Sequence, residues 1–180
     1  LQADKDIVLE AVKRCAPALQ YASSSLRADK SVVIQAVMQY SYYNSNPLEF
    51  ADKSLKVDRD VMLAVLKRYY EYAIPLLHPT LLADKAFMME AVKLKGEVLE
   101  RADRSLRSDK EVVCAAVARK GGALKYAAPL LQADREIVWA AVTQNGSALQ
   151  YAAPPLRGDR EVVMQAASHG GCPLRYADPS

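Results

Sequence analysis

The chain's only two histidines, His78 and His169, are its first candidates for general-base or metal chemistry. His169 lies three residues before Cys172, a spacing that suits either a nucleophile with its base or two metal ligands. A catalytic base also needs a group that orients it, and a zinc site needs more ligands than this pair supplies. We therefore expect His169 to fill the polar end of a helix, and we predict no catalytic residue, no cofactor and no metal site.

Two glycine pairs, Gly121-Gly122 and Gly170-Gly171, raise the question of a phosphate-binding loop. Both pairs follow apolar helical runs instead of preceding them, and no Lys-Ser/Thr completes a P-loop. One glycine column includes Gly96, Gly121, Gly146 and Gly171. A glycine directly after a helix favours a left-handed C-cap, so the sequence predicts C-caps at this column.

An aspartate followed by a base recurs along the chain and divides it into seven copies. The anchoring acids, which begin copies one to seven, are Asp4, Asp29, Asp58, Asp84, Asp109, Asp134 and Asp159. Most of the gaps between them are 25 residues, and a leucine lies three residues before every acid. Self-similarity at a fixed period is typical of a repeat array.

Each acid precedes an apolar run at the third, fourth, fifth, seventh and eighth places after it, as in Ile137-Val138-Trp139 and Ala141-Val142. This spacing predicts a long helix that is capped by the acid and packed on more than one side. We expect the fifth place to widen the buried face. We expect the following base to pair with a neighbouring copy's acid, where an exposed pair contributes only about 0–1 kcal/mol.

A shorter Ala- and Leu-rich element follows, and its best copies stop before Pro129, Pro154 and Pro179. We interpret it as a two-turn helix. One such helical pair cannot close a core, so successive copies must stack. The sequence predicts an all-α protein, an α-solenoid of about seven 25-residue helix–turn–helix repeats, as a single array over residues 1–180. The chain begins and ends within a repeat, which predicts a segment of a longer array.

Two tyrosine clusters coincide with the register breaks in copies two and three. They are Tyr40, Tyr42 and Tyr43, and Tyr69, Tyr70 and Tyr72. Irregular insertions in solenoids lie on one face, often the binding face, and tyrosine is favoured at interfaces. We predict these six residues as a partner-binding patch. The alternative is that the rings pack an enlarged loop against its own copy.

Charge and composition disfavour several other classes of function. The net charge is only +3, and the bases stand beside acids, so nucleic acid is disfavoured. The tenth place after each acid, which holds Arg119 and Gln144, is the nearest analogue of a base-reading column. No apolar run is long enough to span a membrane. Three cysteines without metal-ligand spacing favour a reducing intracellular compartment, the cytoplasm or an organelle interior.

The regular copies, such as Asp109-Lys110-Glu111-Val112-Val113 continuing to Leu131, resemble the tandem repeat family known as domain of unknown function 4116. That resemblance covers the whole chain and is strongest in copies one, five and six. It implies a helical repeat scaffold of a kind found mainly in protists, algae and some associated bacteria. It supplies no reaction, cofactor or ligand.

These observations favour a non-catalytic module that binds another protein or forms part of a multi-subunit assembly. The alternative is an accessory array attached to an enzyme or effector domain outside these residues. Two weaker alternatives are a peripheral subunit of an algal membrane complex and a helical repeat that binds nucleic acid.

Overall fold

The computed structural model describes residues 1–39, 46–170, 172 and 175–176, and every regular element in that part of the chain is helical. Each copy begins with a long α-helix directly after its anchoring acid. The seven long helices are Lys5–Arg14, Lys30–Met38, Arg59–Arg68, Lys85–Leu94, Lys110–Arg119, Arg135–Gln144 and Arg160–Ser168. The prediction of an all-α fold is confirmed.

Every long helix begins where the anchoring aspartate accepts two backbone N–H groups. In copy five, one Asp109 carboxylate oxygen accepts from Glu111 N at 3.0 Å and from Val112 N at 3.2 Å. The same two bonds cap the other six long helices. The predicted N-caps are confirmed, because these N–H groups have no partner within the helix.

In copies two to six, the core comes from four of the five apolar columns. Val112, Val113, Ala116 and Val117, at the third, fourth, seventh and eighth places of copy five, are completely buried. The fifth column differs from this expectation, since Trp139 is 38% exposed and its other members are only partly buried or more exposed. The prediction that this column widens the buried face was therefore wrong.

The short element consists of two helical pieces instead of the predicted two-turn helix. The first is a 3₁₀ helix, at Ala16–Tyr21, Gly96–Arg101, Gly121–Tyr126 and Gly146–Tyr151. The second is a one-turn α-helix, at Ser24–Arg27, Pro79–Leu82, Arg104–Arg107, Pro129–Gln132 and Pro154–Arg157. Pro129 and Pro154 thus begin a helix, where a missing N–H costs nothing. Pro179 lies outside the described residues.

Copies two and three depart from this pattern. Copy two has an α-helix at Pro47–Phe50 and a 3₁₀ helix at Lys53–Val57. In copy three the long helix ends at Arg68, and Tyr69 leaves helical geometry with φ −138°. A separate turn at Tyr70–Ala73 and a 3₁₀ helix at Ile74–Leu76 follow, so no continuous helix runs through the tyrosines.

The glycine column does not form left-handed C-caps, and that prediction was wrong. Gly96, Gly121 and Gly146 have negative φ, and Gly170 is the only described glycine with positive φ, at 83°. Gly171 lies outside the described residues. A β-carbon on Gly96 would lie 2.6 Å from the Ala116 carbonyl oxygen in the next long helix. The column needs glycine because the next copy packs directly against its backbone.

The helices form two compact units, Leu1–Leu81 with copies one to three and Leu82–Ser180 with copies four to seven. Within each unit, successive long helices pack side by side. The short elements of copies four to six are joined by backbone bonds, such as Ala128 N to Arg107 O at 2.8 Å and Ala153 N to Gln132 O at 2.9 Å. This neighbour-to-neighbour stacking confirms the solenoid type of repeat. A single array over residues 1–180 stays a prediction.

Candidate functional site

The predicted tyrosine patch is described only in part. Tyr40, Tyr42 and Tyr43 lie outside the described residues. Tyr69, Tyr70 and Tyr72 are half-buried on consecutive turns of copy three. The Arg68 guanidinium lies 5.2 Å from the centre of the Tyr69 ring, a cation–π distance. The assignment of the six tyrosines to a partner-binding patch stays a prediction.

The two histidines lie in separate local structures. Nδ1 of His78 accepts the Thr80 N–H at 3.3 Å, at the start of the one-turn helix Pro79–Leu82. His169 ends the last long helix, with its Nδ1 3.0 Å from the Gln165 carbonyl oxygen. Cys172 is an exposed free thiol. Among the described residues, no cluster of three or more His, Cys, Asp or Glu side chains could hold a metal ion.

The tenth column makes contacts between copies. Arg119 Nε donates to the Leu94 carbonyl oxygen at 3.5 Å, one copy back. The Gln144 side-chain oxygen accepts the Gly121 N–H, also from the preceding copy. These hydrogen bonds connect copies five and six to the copy before each of them. In these copies the tenth column therefore stabilises the packing between neighbouring copies.

Within each of the two units, bases after the anchoring acids connect successive copies. Lys85 Nζ lies 2.8 Å from a carboxylate oxygen of Asp109 and 2.8 Å from one of Glu111. Equivalent pairs join Lys5 to Asp29, Lys30 to Asp58 and Asp60, Lys110 to Asp134 and Glu136, and Arg135 to Asp159 and Glu161. The predicted pairing between neighbouring copies is confirmed.

The same pairs shift the titration of the capping acids. The Lys85 ammonium holds the pKa of Asp109 below its ordinary value, and the Val112 backbone N–H adds to the effect. Lys110 lowers the pKa of Asp134 in the same way. At neutral pH these capping acids are therefore ionised, and each is already paired with a base of the preceding copy.

The fifth-column side chains form an apolar stripe over the long helices of the second unit. This stripe, which we name the fifth-column stripe, consists of Met89, Cys114, Trp139 and Met164. Its exposure increases along the unit, with Met89 and Cys114 half-buried, Trp139 38% exposed and Met164 63% exposed. Burial raises the pKa of the Cys114 thiol, which keeps it neutral and apolar.

An open cleft of about 540 Å³ lies between the last two members of this stripe. Trp139 and Met164 supply its apolar surface, and Arg160, Glu161, Gln165 and Ser168 complete its lining. The Arg135 guanidinium, held by Asp159 and Glu161, lies 6.0 Å from the centre of the Trp139 ring. The indole is thus fixed in a half-exposed position.

Sequence reasoning missed this stripe, although a signal was present. The fifth column accepts Cys, Trp and Met, whereas the third and fourth columns hold mainly Val in the regular copies. A fully packed position rarely tolerates such changes in volume. The spread of sizes points to a surface position.

Comparisons with known proteins agree with the repeat pattern. The family model described as domain of unknown function (DUF4116) matches residues 4–46, 84–132 and 134–180, well over half of the chain. No curated protein and no solved structure matches it. Among the described residues, no helix has the length and apolar character that crossing a membrane requires. The chain, with its capped, stacked repeats, belongs to the family described as domain of unknown function (DUF4116).

Proposed function

We propose that this chain is a non-catalytic scaffold that binds another protein through the fifth-column stripe. The observation that carries the proposal is the exposure of Trp139 and Met164 beside a cleft on regular, stacked helices. Contiguous exposed apolar side chains are typical of interaction sites, and tryptophan is enriched among residues that dominate binding.

Helix spacing defines the partner segment that suits this surface. Packed helices lie about 8–10 Å apart, so apolar groups of the stripe recur at that interval. A helix rises about 1.5 Å per residue, so a partner helix laid across the long helices would match this interval with an apolar residue about every five to seven residues. We expect an amphipathic helix with such a spacing to be the docking segment.

The test begins with purification of the protein and its partners from its native source, followed by identification of the co-isolated protein. Binding of that protein is then measured against the double variant Trp139→Ser/Met164→Ser. We expect at least a tenfold loss of affinity, as for removal of a central interface anchor worth about 1.4 kcal/mol or more.

Leu130 provides the matched control. It is 86% exposed and lies on the one-turn helix Pro129–Gln132, outside the stripe. Leu130→Ser removes a similar exposed apolar side chain and should leave the affinity unchanged. Equal affinities of the double variant and the native chain would refute this surface assignment.

A further inference from the structure

A second type of surface site lies on the short elements of copies four and five. The one-turn helix Arg104–Arg107 and the segment 126–129 enclose a groove of about 170 Å³, lined by Arg104, Arg107, Tyr126, Ala127, Ala128 and Pro129. Pockets for whole small molecules are larger, about 300–1,000 Å³. This groove has room for the end of one side chain.

The two arginines of this groove hold no acid in the described part of the chain. Neither guanidinium forms an ion pair or donates a hydrogen bond within that part, and Arg107 Nε is buried without an acceptor. The nearby carboxylates accept hydrogen bonds from other groups, although, after the Ser105 hydrogen bonds, the Arg107 charge also contributes to lowering the pKa of Asp103. Asp103 accepts the Ser105 N–H at 2.9 Å and hydroxyl at 2.7 Å, and the Glu100 carboxylate accepts the Tyr126 hydroxyl.

The first unit contains an equivalent groove between copies one and two. There Arg27 takes the place of Arg107, and its Nε is also buried without an acceptor. The equivalence is fixed by the backbone, because Asp52 N donates to Arg27 O at 2.9 Å as Ala128 N donates to Arg107 O at 2.8 Å. Asp52 therefore occupies the position of Ala128.

Asp52 supplies a carboxylate to its own groove. Ser54 holds the pKa of Asp52 below its ordinary value, and the positive charges of Lys53 and Arg27 lower it further. The groove of the first unit therefore has a carboxylate nearby, although Asp52 is hydrogen-bonded to Ser54 and Arg27 Nε has no acceptor. In the second unit Ala128 takes the place of Asp52 and supplies no carboxylate, and Arg104 takes the place of Ser24, so two arginines line the groove.

We propose that the Arg104–Arg107 groove binds a carboxylate side chain of a protein partner. The Arg107 guanidinium would donate to the carboxylate, Arg104 would add positive charge, and the Tyr126 ring with Pro129 would contact the side chain's methylene groups. This site deepens the proposed function, on which it rests, by giving the partner an acidic contact.

Two variants drawn from the chain's own repeats test the groove without threatening the fold. Gln132 occupies the place of Arg107 in the next copy, where its amide donates to the carbonyl oxygens of Leu124, Lys125 and Ala127 at 3.1–3.2 Å. Arg107→Gln should therefore fold and lose the guanidinium. Ala128→Asp should place an internal carboxylate beside the groove, at the position that Asp52 has in the first unit, and so repel an acidic ligand.

The probe is a blocked, fluorescently labelled peptide of alternating Glu and Ala, compared with the same peptide carrying Gln in place of Glu. We expect the Glu peptide alone to bind and to shift the amide resonances of Arg107, Tyr126 and Ala128. Arg107→Gln should weaken binding about tenfold or more, the loss for one charge-assisted hydrogen bond. Ala128→Asp should abolish it.

The contrary results are distinct. Equal binding of the Gln peptide, or undiminished binding to Arg107→Gln, would overturn the proposal. So would tighter binding of inorganic phosphate or of a single-stranded oligonucleotide at these resonances, since either would indicate a different ligand. Trp139→Ser/Met164→Ser serves as the reference, because it should leave this peptide's affinity unchanged and so separates failure of the groove from failure of the stripe.

Discussion

At the scale of the residue, the absence of a β-carbon allows neighbouring copies to pack closely. Gly121 lies against the Ala141 carbonyl of the next long helix, closer than a β-carbon allows, whereas its neighbour Gly122 has nothing within 4 Å of that position. Both glycines were expected to form a C-cap, because the sequence shows a glycine after a helix but cannot show what packs against it. The requirement for glycine comes from the neighbouring copy.

Gly121→Ala and Gly122→Ala form a matched pair for stability. Gly121→Ala should lower the free energy of unfolding by about 1–3 kcal/mol, because a backbone carbonyl cannot move aside cheaply. Gly122→Ala should leave it unchanged or raise it by up to about 1 kcal/mol through the unfolded state. Urea denaturation of the two variants measures both values, and equal stabilities would contradict the close packing at Gly121.

At the scale of the element, a long helix depends on its anchoring aspartate for two purposes. Asp109 caps its own helix and also accepts Lys85 from the preceding copy. The cap follows from the sequence, since an aspartate before an apolar run is a local signal. The pairing between copies was also predictable, because the period places each base near the next acid.

Acid should weaken these contacts. The folded-state pKa of Asp109 is lowered, as are those of Asp134 and Asp159, so their contribution is complete above the unfolded pKa of about 3.9 and is lost as pH falls through the folded pKa. We expect the free energy of unfolding to decrease from about pH 5 downward.

Asp109→Asn should make this decrease shallower, because an amide keeps the cap but not the ion pair. Asp6→Asn is the control, since Asp6 forms no ion pair among the described residues. Chemical denaturation between about pH 2 and pH 6 measures how steeply the free energy of unfolding depends on pH. The same slope in native protein and Asp109→Asn would exclude the pairing as its source.

Burial between elements supplies a further test. Leu106, three residues before Asp109, is 7% exposed, whereas Leu131 in the same column is half-buried. Leu106→Ala should cost about 2–5 kcal/mol, and Leu131→Ala should cost less. Hydrogen exchange should show the loss of protection mainly in copies four and five, because coupling is between nearest neighbours. A cost near zero would place Leu106 at the surface.

At the scale of the whole molecule, periodicity in the sequence predicts the helices, their caps and the stacking of copies. The short elements and the surface were harder to predict. Pro129 indicates that a helix ends before it, but not that the one-turn helix Pro129–Gln132 begins there. Trp139 is as hydrophobic as a core residue, although it is partly exposed. Whether such a side chain is buried depends on how neighbouring copies pack against each other. The sequence pattern of one copy does not give that packing.

Trp139 is the chain's only tryptophan, so its fluorescence reports directly on the fifth-column stripe. The decisive measurement is its emission spectrum and acrylamide quenching during titration with the co-isolated partner or a tryptophan-free segment of it. The proposed docking predicts a blue shift and reduced quenching at saturation, because the half-exposed indole becomes covered. Tight binding with unchanged emission and quenching would contradict the account.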